Sequence, residues 1–464
     1  MHPLLVYAHR HSTMAKDTPV TVVVGAGVIG LSCALELQQA GHAVTLLAKD
    51  LPAPLALLDA HAQINYTSPW AGAHNRWVPP PLSLPSPSSS SSSSLPQSKG
   101  HGHEELQDHN IRDHKLALAT FHRMQHLAHS TAPATSSSAT TPTATTPSSP
   151  AAGITFLKGI EYLEAPAEEY LALAGQSTCA AHNAAHSAAA LGLQGFRVLA
   201  AHELPGRDDD DDDGDNNNNN NNTKGKVVLG FEYDTWCVDP MVYCCFLLNR
   251  FVYRGGQVIQ REVRDPKEVF ALEMIGGGAA AGRRRVETVV NASGQGFGDD
   301  KVFITRGQTC LVANTAAATV TRQNADGSWT FCIPRSREGG TVIGGTKEAD
   351  NWATAASPQV REQLVRALVA TYPDMVAAHS DSHPPATAAA AAVAVVDGVR
   401  VLRDIVGRRP TRRGGARIER ELVSPTTQIV HAYGLGGRGF EMSWGVAELV
   451  AQLAGPPGAV KPSL

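Results

Sequence analysis

Three groups of residues in this 464-residue chain have types and spacings suited to chemistry. Gly25, Gly27 and Gly30 are spaced G-x-G-x-x-G, with Ala26, Val28 and Ile29 between them. In that pattern the first glycine permits a tight turn and the second lets the backbone approach a pyrophosphate. The third lets a helix pack closely on the strand before it. Gly434, Gly436, Gly437 and Gly439 crowd the stretch ahead of Gly445, where amides stripped of side chains could lie against a flat ligand. Arg408, Arg409, Arg412, Arg413 and Arg417 gather guanidiniums, which can grip a carboxylate through two parallel hydrogen bonds. Taken alone, such an arginine cluster also fits surface ion pairs, and a glycine-rich turn need not hold phosphate.

The flanking elements sharpen the first reading. Val20–Val24 is a β-branched run, Val28–Ala40 has helical spacing with Ile29, Cys33, Leu37 and Ala40 on one face, and Ala43–Ala48 is a second apolar run. This is a β-α-β unit with short connections, hence a parallel sheet. The helix start would offer free N–H groups and a positive dipole to phosphates. Ala48 occupies the place where a ribose-binding acid is usual, and Asp50 follows two residues later. That displacement, and the lack of a second glycine fingerprint, argue against an NAD-dependent dehydrogenase. Ile259–Val263 and Val286–Val290 read as further strands, and Pro358–Tyr372 and Gly445–Leu453 as helices.

Composition excludes several classes. The chain is 42% hydrophobic and 18% charged, with net charge −4. Without the seven acids at Asp208–Asp213 and Asp215 it would carry +3, so the remainder is nearly neutral and unlike a nucleic-acid binder. No apolar run reaches the length of a membrane span. Seven cysteines, an odd number without a C-x-x-C pair, disfavour a disulfide scaffold and a cysteine zinc site. They suit a reducing compartment. The first 18 residues lack the apolar core of a secretory signal, and the C-terminus is not a Ser-Lys-Leu address. An intracellular protein is expected, in peroxisome or cytoplasm. Residues 79–103, 129–151, 205–226, 275–285 and 376–394 are rich in Ser, Pro, Thr, Asp, Asn, Gly or Ala and read as solvated low-complexity loops.

The stretch Ile429–Ala447, with His431, Tyr433, Gly434, Gly437, Gly445 and Ala447 at fixed offsets, resembles the signature of the FAD-dependent D-amino-acid oxidase family. Other blocks agree in order: Leu46–Pro52 is similar to the fungal branch, and Ser68–Ala73 to a flavin-contacting loop. Phe231–Thr235, Val290–Gly294, Arg306–Thr309 and Val406–Gly415 also match, so the resemblance covers most of the chain outside the low-complexity tracts. It implies an α/β fold: a Rossmann-type parallel-sheet domain for FAD, and a mixed-sheet α+β substrate domain. The FAD domain is expected from residues 18–78, 239–310 and 396–464, and the substrate domain from 104–238 and 311–395. A small-molecule D-amino acid and O2 are the expected partners, with no nucleic acid and no membrane span; a homodimer is left open.

The resemblance further implies oxidation of D-amino acids to 2-oxo acids, ammonia and hydrogen peroxide, by hydride transfer from Cα to flavin N5. By family register, Arg409 would clamp the substrate carboxylate and Gly436 would lie beside the amino group. FAD would be held by Gly25, Ala26, Gly27, Val28, Ile29, Gly30, Lys49, Asp50, Ser68, Trp70, Ala71, Gly72, Val263, Ser293 and Gly294. Arg409 and the run Gly436, Gly437, Arg438, Gly439, Phe440, Glu441 and Met442 would complete that set. Two positions depart from the family. Phe331 stands where a tyrosine hydroxyl normally helps hold the carboxylate, and loss of such a bond costs about 1.5–3 kcal/mol. Glu441 stands where the fungal branch tends to carry Gln, and a bare carboxylate there would favour neutral or basic D-amino acids. His74–Arg76 lengthen the flavin loop, with His74 expected in solvent; Cys332 is expected to pack in the core. D-aspartate or glycine-type amine oxidation, and a catalytically weakened FAD-binding homologue, remain as alternatives.

Overall fold

A computed structural model describes residues 20–53, 64–82, 101–131, 148–206, 225–272, 274–275, 283–336, 339–376 and 394–455. Most of the low-complexity stretches expected at 79–103, 129–151, 205–226, 275–285 and 376–394 lies outside the described residues.

Strand β1 (Val20–Val24) is buried along its whole length, which suits a continuous β-branched run with neighbours on both faces. Helix α1 (Val28–Gln39) and strand β2 (Ala43–Ala48) follow as read from the sequence. Next come helix α2 (His101–Ser130), strands β3 (Ile154–Leu163) and β4 (Leu229–Val238), helix α3 (Pro240–Tyr253) and strand β5 (Gln257–Gln260). β5 starts two residues earlier than expected and stops short of Val263. The chain continues through β6 (Val286–Asn291), β7 (Val302–Val312), β8 (Thr319–Gln323), β9 (Trp329–Pro334) and β10 (Thr341–Gly344). Helix α4 (Pro358–Thr371), strands β11 (Val399–Arg412), β12 (Arg417–Ser424) and β13 (Thr427–Tyr433) and helix α5 (Ser443–Leu453) complete it.

Two sheets organise these elements. The six-stranded sheet runs β12-β13-β6-β1-β2-β5, parallel except for the edge pair β12–β13. The eleven-stranded sheet contains β11-β7-β10-β9-β8-β3-β4 in that order, with short strands at its edges. β7 and β11 are antiparallel partners in the large sheet, Thr305 opposite Arg409. The sheets therefore do not divide the chain at 310 and 396. Arg409 reaches the ligand region from the larger sheet, while the glycine loops come from the smaller one.

Helix α2, not anticipated as an element, joins the layer over the parallel sheet. Leu116, Ala117, Phe121 and Met124 are buried in one apolar core with α1 and α5. Thr120 Oγ1 accepts from the Trp444 and Gly445 N–H groups at 3.1 and 3.0 Å, satisfying two donors at the start of α5. At Gly445 an added Cβ would fall 2.3 Å from the Leu116 carbonyl oxygen, so the two helices meet backbone to backbone. Gly445→Ala should therefore cost about 1–3 kcal/mol by overpacking. Gly455→Ala, whose Cβ would meet its nearest atom at 3.4 Å, should stay within about 0.5 kcal/mol of the parent in denaturant unfolding.

Candidate active site

The turn between β1 and α1 has no room for side chains. Gly25 sits at φ +109, and a Cβ there would lie 2.4 Å from the Ala292 carbonyl oxygen; at Gly30 it would lie 1.9 Å from the Gly25 oxygen. Gly27 faces Ser68 Oγ, which accepts from the Val28 N–H at 3.1 Å, and Tyr66 donates to the Ala26 carbonyl at 2.6 Å. No side chain caps α1 and no acid occupies its first turn, where Ile29 and Gly30 sit. The start of α1 thus keeps the positive dipole that a pyrophosphate would meet. Asp50 lies two residues beyond β2 and acts electrostatically on Tyr66, which places its charge beside this loop. Lys49 turns away, its ammonium 2.9 Å from Glu262 at the exposed surface. Val263 is half-buried against the apolar cluster around β1 and β6. The cradle fits the diphosphate of FAD.

The ends of β6 and β13 supply the adjoining surface. Ser293 Oγ donates to Asn291 Oδ1 at 2.7 Å, Gly294 adopts φ +78 against Pro410, and the Gly434 N–H donates to the Gly294 carbonyl at 3.3 Å. Gly436 sits beside Thr411, a Cβ on Gly437 would come within 3.9 Å of Arg409 Nη1, and one on Gly439 within 3.7 Å of Val28 Cγ1. Phe440 and Met442 are buried beneath this loop. The loop therefore runs from Arg409 to the mouth of the cradle, along the C-terminal edge of the parallel strands, the usual ligand side of such sheets.

Arg409 differs from its neighbours. Arg412 pairs with Asp299 at 2.8 Å, Arg417 with Glu419 at 2.6 Å, and Arg408 donates to Asn65 and to the Trp352 carbonyl. Arg409 donates from Nη2 to the Thr346 carbonyl at 3.0 Å and pairs with no carboxylate among the described residues. Burial pulls its pKa down from the arginine range. Gly307 gives it space, since a Cβ there would lie 2.5 Å from Nη2.

Across from it, the ring of Phe331 packs against Gly344 and Gly345 and near Gly72; beside it, Ile333 faces Gly72 as well. Ala71 packs on the main core, and Trp70 is buried with Arg403 over its ring at 5.1 Å. Glu441 is not a bare carboxylate. Arg438 grips it through Nε and Nη2 at 3.0 and 2.9 Å and reaches Asp113 at 3.5 Å. The pair is nearly self-neutralising, so the electrostatic reason for Glu441 to disfavour acidic substrates falls away. Cys332 is fully buried and its thiol is pushed up to about 12, as a packing residue should be.

Sequence reasoning missed Tyr66, Thr346, Asp113 and a buried network around Arg76. Only Arg76 had a signal, as one of the residues that lengthen the loop after Ala73. His74 is not solvated as expected. Its Nδ1 is buried without a hydrogen-bond partner, and burial, then the Arg76 charge, hold its pKa down to about 3. With the folded value below the ordinary 6.5, the unfolded chain takes the proton first as pH falls. Stability should then drop below pH 6.5 by about 1.4 kcal/mol per pH unit from this group. Urea midpoints at about pH 7.5 and 5 should fall less in His74→Gln than in the parent; equal falls would mean His74 titrates normally.

The chain is similar to known proteins over nearly its whole length. The model of the FAD dependent oxidoreductase family (DAO) matches residues 21–453. A D-aspartate oxidase of Talaromyces thermophilus is 32% identical over 449 residues, 94% of this chain and 95% of that protein. A D-amino-acid oxidase of Schizosaccharomyces pombe is 23% identical over 94% of this chain and 96% of that one. Among solved structures, glycine oxidase from Geobacillus kaustophilus shares the fold, with TM-score 0.52, 16% identity, and 95% and 96% of the two chains covered. With its phosphate cradle, its glycine loops and a match over nearly its whole described length, the chain belongs to the FAD dependent oxidoreductase family.

Proposed function

We propose that this protein oxidises D-amino acids with FAD and O2, giving 2-oxo acids, ammonia and hydrogen peroxide. The observation that carries the reading is Arg409: a guanidinium withdrawn from water, bonded to a carbonyl and free of carboxylates among the described residues, beside Gly437. A buried cation of this kind is stabilised when an incoming carboxylate completes its fork. Full-length relatives named D-aspartate oxidase and D-amino-acid oxidase support the substrate class.

When bound, FAD supplies the hydride acceptor at N5 and returns the electrons to O2. The chain's residues act by placement. Arg409 fixes the α-carboxylate and so sets where Cα lies. Gly436 and Gly437 keep side chains away from the amino group, and Phe331 forms an apolar wall that excludes water. With Phe331 in place of a tyrosine, carboxylate binding rests on Arg409 alone at this point. No side-chain base is needed once the substrate amine is neutral. All seven cysteines are free thiols, which suits cytoplasm or peroxisome.

Purified protein should show flavin absorption bands, and an anaerobic D-amino acid should bleach them. A yellow protein bleached by none of D-alanine, D-arginine and D-aspartate would leave the weakened homologue as the answer. Arg409→Ala should raise KM by about two to three orders of magnitude while FAD stays bound, the usual loss when one partner of a buried charged pair is removed. Unchanged kinetics would refute the clamp.

A further inference from the structure

Arg76 comes from the loop after Ala73, and its guanidinium lies over the Trp329 ring at 4.0 Å from the centroid. Its Nη1 donates to Glu161 at 3.1 Å, and the side chain keeps 12% exposure while that of Glu161 has none. Glu161 is held in turn by Gln323 at 2.7 Å and by the Tyr233 hydroxyl at 3.4 Å. Three donors thus fix one buried carboxylate, and that carboxylate fixes Arg76. A guanidinium has five N–H donors, and one is used here.

This second arginine is close to the first. Trp329 and Phe331 are alternate residues of β9 and share one face. The Trp329 carbonyl accepts from the Gly345 N–H at 3.3 Å, and the next residue, Thr346, holds Arg409. The head of Arg409 has already crossed Gly307 of the neighbouring strand. Both guanidiniums are thus tied to the same end of the adjoining strands β9 and β10, Arg76 through the Trp329 ring and Arg409 through the Thr346 carbonyl. Two cations so placed suit a ligand with a carboxylate at each end. Glu441, which acts electrostatically on Arg76, is compensated by Arg438 and leaves the space between without a net negative charge.

We propose that Arg76 is the subsite for a side-chain carboxylate, which makes acidic D-amino acids, of the length of D-aspartate or D-glutamate, the preferred substrates. The subsite rests on the oxidase reading for its substrate and on its own geometry for binding. Two measurements on the FAD-loaded protein test it. The first is calorimetric titration with succinate and with propionate. Succinate should bind at least about 30-fold tighter, and the advantage should shrink at least about 10-fold in Arg76→Gln/Glu161→Gln, where both charges go together and none is left orphaned. The second is the ratio of kcat/KM for D-aspartate over D-asparagine, which should exceed about 10 and fall at least about 10-fold in the same variant.

Equal binding of succinate and propionate, or a wild-type preference for neutral or basic D-amino acids, overturns the subsite and leaves the oxidase standing. Arg76-dependent succinate binding with no D-amino acid oxidised does the reverse. An unchanged ratio in the double variant makes Arg76 a structural ion pair only. Should that variant not fold, the wild-type succinate and propionate titrations decide alone.

Discussion

A guanidinium held away from water without a counter-charge is costly, because the charged form loses hydration and gains little in return. Arg409 is half-buried and has no carboxylate partner among the described residues, and much of the surrounding geometry can be traced to it. Gly307 is a glycine because the guanidinium fills the volume of its side chain. The Thr346 carbonyl is aimed at it from the end of β10. Gly437 approaches its Nη1, where a Cβ would come within 3.9 Å. A core built only for stability would supply a carboxylate, as it does for Arg412 and Arg322. Among the described residues neither Arg409 nor Arg408 has such a partner, and Arg409 is the one that stands beside the glycine loop.

The glycines are the second constraint, and they bind the two sheets together. Gly25 presses on Ala292, Gly294 on Pro410, Gly434 on Arg412 and Gly436 on Thr411. Gly294, Gly434 and Gly436 therefore let the chain beyond β6 and β13 approach the side chains of Pro410, Arg412 and Thr411 on β11, while Gly25 and Ala292 meet within the parallel sheet. Approaches this close leave little freedom in the spacing between the glycine loops and β11. Hydride transfer needs that precision, because a shift near 1 Å costs about a hundredfold in rate.

What the sequence disclosed follows from how local each signal is. The β-α-β turn was legible because strand, glycines and helix are contiguous, and the nearness of Arg409 to the glycine loop because its block sits in family register. The allocation of β7 and β11 to the larger sheet was not, since apolar strands read alike in either sheet. Helix α2 was hidden by its polar, histidine-rich composition; its stripe of Leu116, Phe121 and Met124 makes sense only against α5. Pairings were least legible. Arg76 meets Glu161 at a sequence distance of 85, and Arg438 meets Asp113 across most of the chain. A charged residue's partner decides its chemistry, so Glu441 read alone suggested repulsion where the folded chain has neutrality.

That reversal bears on how specificity arises here. Two ion pairs, Arg438–Glu441 and Arg76–Glu161, each set an arginine against a buried glutamate. Buried pairs add little net stability over apolar packing, because desolvation offsets most of the attraction. Their use is directional. Arg438 grips Glu441 through both oxygens and removes it as a discriminator, whereas Glu161 takes one donor of Arg76 and its remaining contacts go to Gln323 and Tyr233. One pair is closed and the other open, although both consist of an arginine and a glutamate. The difference is geometric, set by which element brings each carboxylate in. A loop three residues apart closes the first, and a strand of the large sheet presents the second edge-on. The charge that each glutamate leaves uncompensated is therefore a property of strand register as much as of residue type, which is why it could not be read from composition or from Glu441 itself.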